Sequence, residues 1–373
     1  MSGGRSVEGG EVRFPAEWEP HRATLLAWPH NEEDWPGKFG PIPWVFAEIV
    51  RRITPVEEVL LLVQDKAHES EACEVLRRAH VALERVTFLR APSDRGWMRD
   101  CAPAFVRSVE TAPGTNEHRQ ARPSTDEREK AVRSVQFGFN GWAKYDNWQR
   151  DAALPRFLAQ ELNVPLGVAE HHGRPVVLEG GAIDINGQGT LITTEECLLD
   201  EKTQARNPGF SRQDYEAAFR EHLGISNVIW LGQGIAGDDT HGHVDDLCRF
   251  VNAKTLLLCQ EDRPHDENYP ALMENFERLQ TVRLEDGGRP EVIALPMPEP
   301  LYFEGTRLPA SYANFYICNG RVLAPTFNDP HDRLALGILA ECFPDREVVG
   351  IHAVDLVWGF GTLHCLTHEV PEE

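Results

Sequence analysis

Short apolar runs recur along nearly the whole 373-residue chain, and their length constrains the fold more than any other feature. Residues 23–28, 59–63, 86–89, 103–106, 135–139, 189–193 and 228–231 are too short for buried helices and read as strands, as do 255–258, 292–295, 315–318, 322–324 and 348–351. Helical spacing fills the intervals at 44–53, 67–79, 147–162 and 332–343. Ser211 to Asp214 has the form of a capping box, opening a helix with Tyr215, Ala218, Phe219 and Leu223 on its apolar face. Gly224 closes it. A later helix carries Leu272, Phe276 and Leu279 on one face. Strands and helices thus alternate in units of about 60–70 residues with no break in composition, which predicts one α/β domain over 14–373. A polar tail at 1–13 is expected to be flexible, and the polar stretch near 110–133 reads as a surface insertion.

Charge excludes whole classes of partner. Lys+Arg 37 against Asp+Glu 59 leaves −22, which disfavours nucleic acid and anionic membranes and draws small cations toward a cleft. No run of 18 apolar residues could span a membrane, and residues 1–17 hold no apolar core of a secretory signal. The eight cysteines are dispersed without a C-x-x-C pair, against a zinc knuckle or a disulfide scaffold, and a cytoplasmic setting is expected.

The densest chemistry lies in Asp238-Asp239-Thr240-His241-Gly242-His243-Val244-Asp245-Asp246. Carboxylates this close repel one another unless a cation sits among them, and two cations are conceivable. If 241–251 were a strand, His241, His243 and Asp245 would share one face, as a metal-dependent hydrolase could use. Alternatively the cation is a substrate guanidinium, whose planar N–H groups suit bidentate carboxylates; Asp100 and Asp245 are the candidate grips. Attack on its resonance-stabilised carbon suits a thiolate. Cys365 is the candidate, because it sits in a polar, glycine-flanked segment while the other cysteines fall mostly in apolar strands or helices. His243 could serve as general acid and base. The carboxylates around Cys365 should disfavour its thiolate until a cation arrives.

A series of segments adds to this reading. Residues 14–21, Ala27-Trp28-Pro29, Trp97-Met98-Arg99-Asp100, Leu178-Glu179-Gly180-Gly181, 193–199, Arg206-Asn207-Pro208, Gly242-His243-Val244-Asp245, 311–316 and His364-Cys365-Leu366-Thr367 together resemble the agmatine deiminase family, in the family's order. The resemblance implies a pentein-type α/β propeller, five ββαβ-like units around a pseudo-fivefold axis. It implies hydrolysis of agmatine to N-carbamoylputrescine and ammonia with no metal or cofactor, and it suggests a homodimer. Cys365 would form an amidino-thioether, His243 would move protons, Asp100 and Asp245 would hold the guanidinium, Asp239 would contact substrate and Trp97 would wall the pocket. Arg99 reads as a structural ion pair, Glu179-Gly180-Gly181 as a turn near the site, and His364 and His368 as exposed or structural.

Four positions depart from the family's pattern: Gly359-Phe360-Gly361, His241, Asp246 and Cys101-Ala102. All adjoin the expected site. They leave the reaction type intact and open the question of which guanidine is taken, with peptidylarginine or an arginine-like compound as alternatives to agmatine.

Overall fold

One connection pattern recurs in five sheets of the computed structural model, which describes residues 11–109 and 129–372. Cys248–Asn252 pairs antiparallel with Thr255–Gln260, and the chain crosses through the helix Asn268–Leu279 to the parallel strand Glu291–Pro296. Tyr316–Cys318, Arg321–Thr326, the helix Asp332–Cys342 and Glu347–His352 repeat it. So do Asp184–Ile185, Thr190–Thr194, the helix Arg212–Leu223 and Asn227–Leu231. Ala104–Val109, Glu129–Gln136, the helix Leu154–Glu161 and Leu166–Val168 form another, with Glu11–Arg13 added along the outer edge. The last joins the two ends of the chain. Thr367–Pro371 lies antiparallel to His21–Ala27, which leads through the helix Ile42–Ile53 to Glu58–Val63 and through Lys66–Arg78 to Val86–Arg90.

Local sequence explains the elements. Ile42, Phe46, Ile49, Val50 and Ile53 form one buried stripe on their helix, and Pro43 sits in its first turn, where a missing N–H costs nothing. The capping box at Ser211 forms, and Gly224 ends that helix in the left-handed region at φ 71°. No helix among the described residues is long and apolar enough to cross a membrane.

Four expectations need correction. Glu11–Arg13 is a paired strand, so that part of the expected tail is ordered in a sheet; residues 1–10 lie outside the described residues. The end of the expected insertion belongs to the strand Glu129–Gln136, and 110–128 also lie outside them. The helix expected at 147–162 shrinks to Leu154–Glu161, because Asp151 turns its carboxylate away to accept from the backbone N–H groups of Asp94, Arg95 and Gly96. Phe276 is exposed. Asn275 is buried in its place, accepting from Gly232 N at 2.7 Å and donating to Gln233 O at 2.8 Å.

Arg249 is the largest fully buried side chain. It pairs with Asp184 and with Glu17 at 2.9 Å, and donates to the carbonyls of Ala313 and Phe315. Arg249→Met would strand two carboxylates away from water. It is expected to cost about 3–5 kcal/mol in urea unfolding; an unchanged midpoint would show that the pairings add no stability.

Candidate active site

The acidic stretch folds so that its four carboxylates part company. Asp238 stays within its own loop, accepting from the N–H groups of Thr240, Gly242 and His243. Asp239 pairs with Lys144 and accepts from Tyr145 Oη at 2.5 Å. Asp245 accepts from His364 Nδ1 at 2.7 Å, and Asp246 from Asn314 Nδ2 at 3.0 Å. The dispersal requires sharp backbone: His241 and Gly242 have φ of 66° and 92°, Val244–Asp246 is a 3-10 turn, and the strand begins only at Cys248. His241, His243 and Asp245 therefore do not share a strand face. His241 bonds Asp200 at 2.9 Å, whereas His243 turns inward toward Asp100 and Glu179. The metal arrangement foreseen for those three residues is not formed.

Asp100 is delivered by the short helix Met98–Cys101, where a turn was expected. Its oxygens accept from Gly181 N and Trp142 Nε1, both at 2.9 Å. Gly181 is required by space: a Cβ there would lie 2.6 Å from His243 Nδ1 and 3.0 Å from both Asp100 Oδ1 and Asp245 Oδ2. Three of the anticipated side chains thus converge on one backbone atom.

Cys365 sits in the short helix Leu363–Leu366. Its sulfur receives Asn314 Nδ2 at 3.0 Å and lies 3.7 Å from Asp245 Oδ2. Asn314 Oδ1 accepts from Thr362 Oγ1 and from the N–H groups of Thr362 and His364, so its amide group can only face Cys365 and Asp246. Trp97 stacks on Trp35 with ring centroids 5.5 Å apart. Trp97, Asp100, Trp142, Asp239 and Cys365 line a cleft of about 190 Å³. A second cavity, of about 50 Å³, lies behind Asp100 and His364 and does not include Cys365.

Burial, with Asp245, Asp246 and Asp100 around it, pushes the Cys365 thiol well above its ordinary value, against the pull of Asn314. Burial likewise lifts the Asp246 carboxyl, helped by the charges of Asp245 and Asp238. For His243 burial works downward, but Asp100, Cys197 and Glu179 outweigh it and hold the imidazole well above its usual value. Glu179 is drawn down to about 2, because Arg206 and His243 overcome its burial. The site therefore favours a thiol and an imidazolium, with one carboxylate oxygen, Asp245 Oδ1, left without a hydrogen-bond partner to receive a planar cation.

The profile of the Porphyromonas-type peptidyl-arginine deiminases matches residues 13–371. An agmatine deiminase of Ectopseudomonas mendocina is 34% identical over 96% of this chain and 95% of its own. The chain belongs to this deiminase family, hydrolases of an amidine C–N bond. The agmatine deiminase of Enterococcus faecalis superposes with a TM-score of 0.84 at 27% identity, covering 99% of this chain and 100% of that one. A substrate-bound agmatine deiminase of C. jejuni gives 0.82 at 26%, covering 99% of each. The mixed α/β fold is that of these deiminases.

All six residues singled out from the sequence lie in or beside the cleft of this deiminase. Arg99 is the structural ion pair expected, bonded to Glu369 at 2.8 Å. His364 and His368 are not exposed; both are buried, and His364 bridges Asp245 and Glu17. Four contributors went unrecognised: Asn314, the Glu17 carboxylate, the charge on Glu179, and Arg95, which reaches the cleft while bonded to Asp34. Glu17, Glu179 and Asn314 stand in segments that carried the family resemblance, which was the available signal.

In the empty site, alkylation of Cys365 should accelerate only at alkaline pH, with a midpoint above the ~8.5 of a free cysteine. Iodoacetamide labelling of the Cys365 peptide across pH, read by mass spectrometry, tests this. A midpoint near neutrality would contradict the electrostatics described.

Proposed function

We propose that this protein hydrolyses agmatine to N-carbamoylputrescine and ammonia through a covalent bond to Cys365. The convergence of His243, Asp100 and Asp245 on Gly181, with Cys365 3.7 Å from Asp245, carries the reading. Curated relatives at 34% identity over nearly the full chain are named agmatine deiminases, which supports the substrate.

Asp100 and Asp245 grip the guanidinium, whose charge offsets the carboxylates that hold Cys365 as a thiol. The thiol proton passes to solvent water as the cation enters, and the thiolate attacks the guanidinium carbon. His243, protonated, gives its proton to the departing nitrogen, and ammonia leaves an amidino-thioether. Neutral His243 then takes a proton from water, the hydroxide adds to the same carbon, and as the carbonyl forms the hydroxyl proton returns to the departing sulfur and restores the Cys365 thiol. Asn314 steadies the sulfur when it is anionic. Trp97 walls the cleft and Asp239 meets the substrate beyond the guanidinium.

The same reading makes the fold a pentein propeller with five ββαβ units about a pseudo-fivefold axis, and the recurrence of one connection pattern in five sheets supports it. It takes residues 14–373 as one domain, with Glu11–Arg13 added at a sheet edge and Glu129–Gln136 a sheet strand rather than part of an insertion; a core cluster drawing on residues from Ala23 to Val370 supports that. Eight unpaired cysteines fit a cytoplasmic setting, and the family resemblance supports a homodimer.

Ammonia release from agmatine and from free arginine, with and without chelator, tests the function. Agmatine turnover should be insensitive to chelator, vanish in Cys365→Ala and fall about 10²–10⁴-fold in His243→Asn. Turnover surviving in Cys365→Ala would overturn the covalent route.

A further inference from the structure

His243 shows its two ring nitrogens to different surroundings. Nδ1 looks toward Asp100, 3.9 Å from Oδ1, on the side where Gly181 leaves room. Nε2 looks toward Glu179, 3.9 Å from Oε2, too far for a hydrogen bond. Arg206 holds Glu179 by Oε1 at 3.1 Å and leaves Oε2 free. Both His243 nitrogens and Glu179 Oε2 are buried without a hydrogen-bond partner. Into this gap comes a thiol: Cys197, a His243 nitrogen and a Glu179 oxygen all lie within 4.8 Å of one another, and all three residues are buried.

Thiolate, imidazole and carboxylate are the donors zinc prefers, and three protein ligands leave one open position. A tetrahedral zinc with bonds of about 2.0 Å to nitrogen and oxygen would set those two atoms about 3.3 Å apart. His243 Nε2 and Glu179 Oε2 would need to close by only about 0.6 Å from where they stand. The Arg206 guanidinium opposes a cation here, but a thiolate and a carboxylate outnumber it.

We propose that Cys197, His243 and Glu179 form an inhibitory site for a thiophilic divalent cation behind the reaction cleft. A metal on one His243 nitrogen stops the ring from exchanging protons with ammonia and water. Inhibition rests on the assignment of His243 as the acid and base; binding does not. Because the site lies on the far side of the ring from the guanidinium grips, the metal lowers kcat and leaves KM for agmatine nearly unchanged. Zinc bound instead at the cluster of Asp245, Asp246 and Cys365 would compete with substrate.

Two readouts with Zn²⁺ alone as probe decide the matter. In equilibrium dialysis, the tightest zinc should persist in Cys365→Ala and weaken at least about tenfold in both Cys197→Ser and Cys197→Ala. In kinetics, Zn²⁺ should depress kcat of the native enzyme, and the Cys197 variants should need correspondingly more zinc for the same fractional loss. Two replacements are used so that poor folding of one does not decide the result, and thermal melting shows which are folded. Zinc lost with Cys365, or indifferent to Cys197, overturns the proposal. Dialysis needs no turnover, so tight zinc dependent on Cys197 in a chain inert toward agmatine would refute the agmatine reading and uphold this site.

Discussion

One carboxylate ties the active site to the rest of the molecule. Glu17, ahead of the first long strand, lies 2.8 Å from His364 Nε2 and accepts from Arg249 Nη2 at 2.9 Å and Arg99 Nη2 at 3.4 Å through one oxygen, and from Ile317 N at 2.6 Å through the other. His364 passes the connection on to Asp245, and Arg99 to Glu369 in the final strand. Burial, with Arg249 and Arg99 nearby, presses the His364 imidazole well below its usual value, against the pull of Asp245. Such a network is costly to desolvate and rigid once every member is paired. It holds the loop of Cys365 against the loop of Asp245 although 120 residues separate them.

That rigidity gives the carboxylates their meaning. In water, four acids within nine residues would relieve their repulsion by spreading apart. Here each is fixed by a different partner, and Cys365 feels the field of three buried carboxylates together. The thiol is thereby kept protonated until positive charge arrives. A guanidinium supplies that charge and the electrophilic carbon at once, so the cost of the empty site is recovered when the correct substrate binds. A neutral urea product supplies no such charge, which favours its release.

Most of the architecture could be read from the chain because apolar runs and turn residues are local signals. Where tertiary contacts outvoted them, the reading slipped. Asn275 is polar by composition yet buried, since it satisfies the backbone at Gly232 and Gln233. Asp151 falls inside the helix expected at 147–162 but caps the loop that leads to Trp97. The site divides in the same way. Cys365, His243, Asp100 and Asp245 could be argued from their chemistry. Their supports could not, because Glu17 and His364 are 347 residues apart and no spacing rule connects them. The exposed and structural alternatives for His364 could not be separated from sequence, because the acids it meets come from elsewhere in the chain.

The charge at the mouth of the cleft bears on which guanidine is taken. Arg95 lines it and Lys144 is paired to the lining Asp239, so either is a candidate clamp for the carboxylate of an arginine-like substrate. Both are committed. Lys144 is paired to Asp239, while Arg95 is bonded to Asp34 by Nε at 2.8 Å and lies over the Tyr145 ring at 3.8 Å. Burial lifts the Asp34 carboxyl only to about 6, since Arg95 opposes it, so the pair is ionic at neutral pH. Each cation thus cancels one acid, and Asp100 with the exposed Glu33 leaves the cleft negative. A substrate ending in an ammonium meets that field favourably. One ending in a carboxylate would have to draw Arg95 or Lys144 away from its partner, exposing an acid to do so. The unpartnered Nη1 of Arg95 is a donor it could use without that exchange, but one hydrogen bond from a buried, already paired guanidinium is a weaker hold than a bidentate clamp.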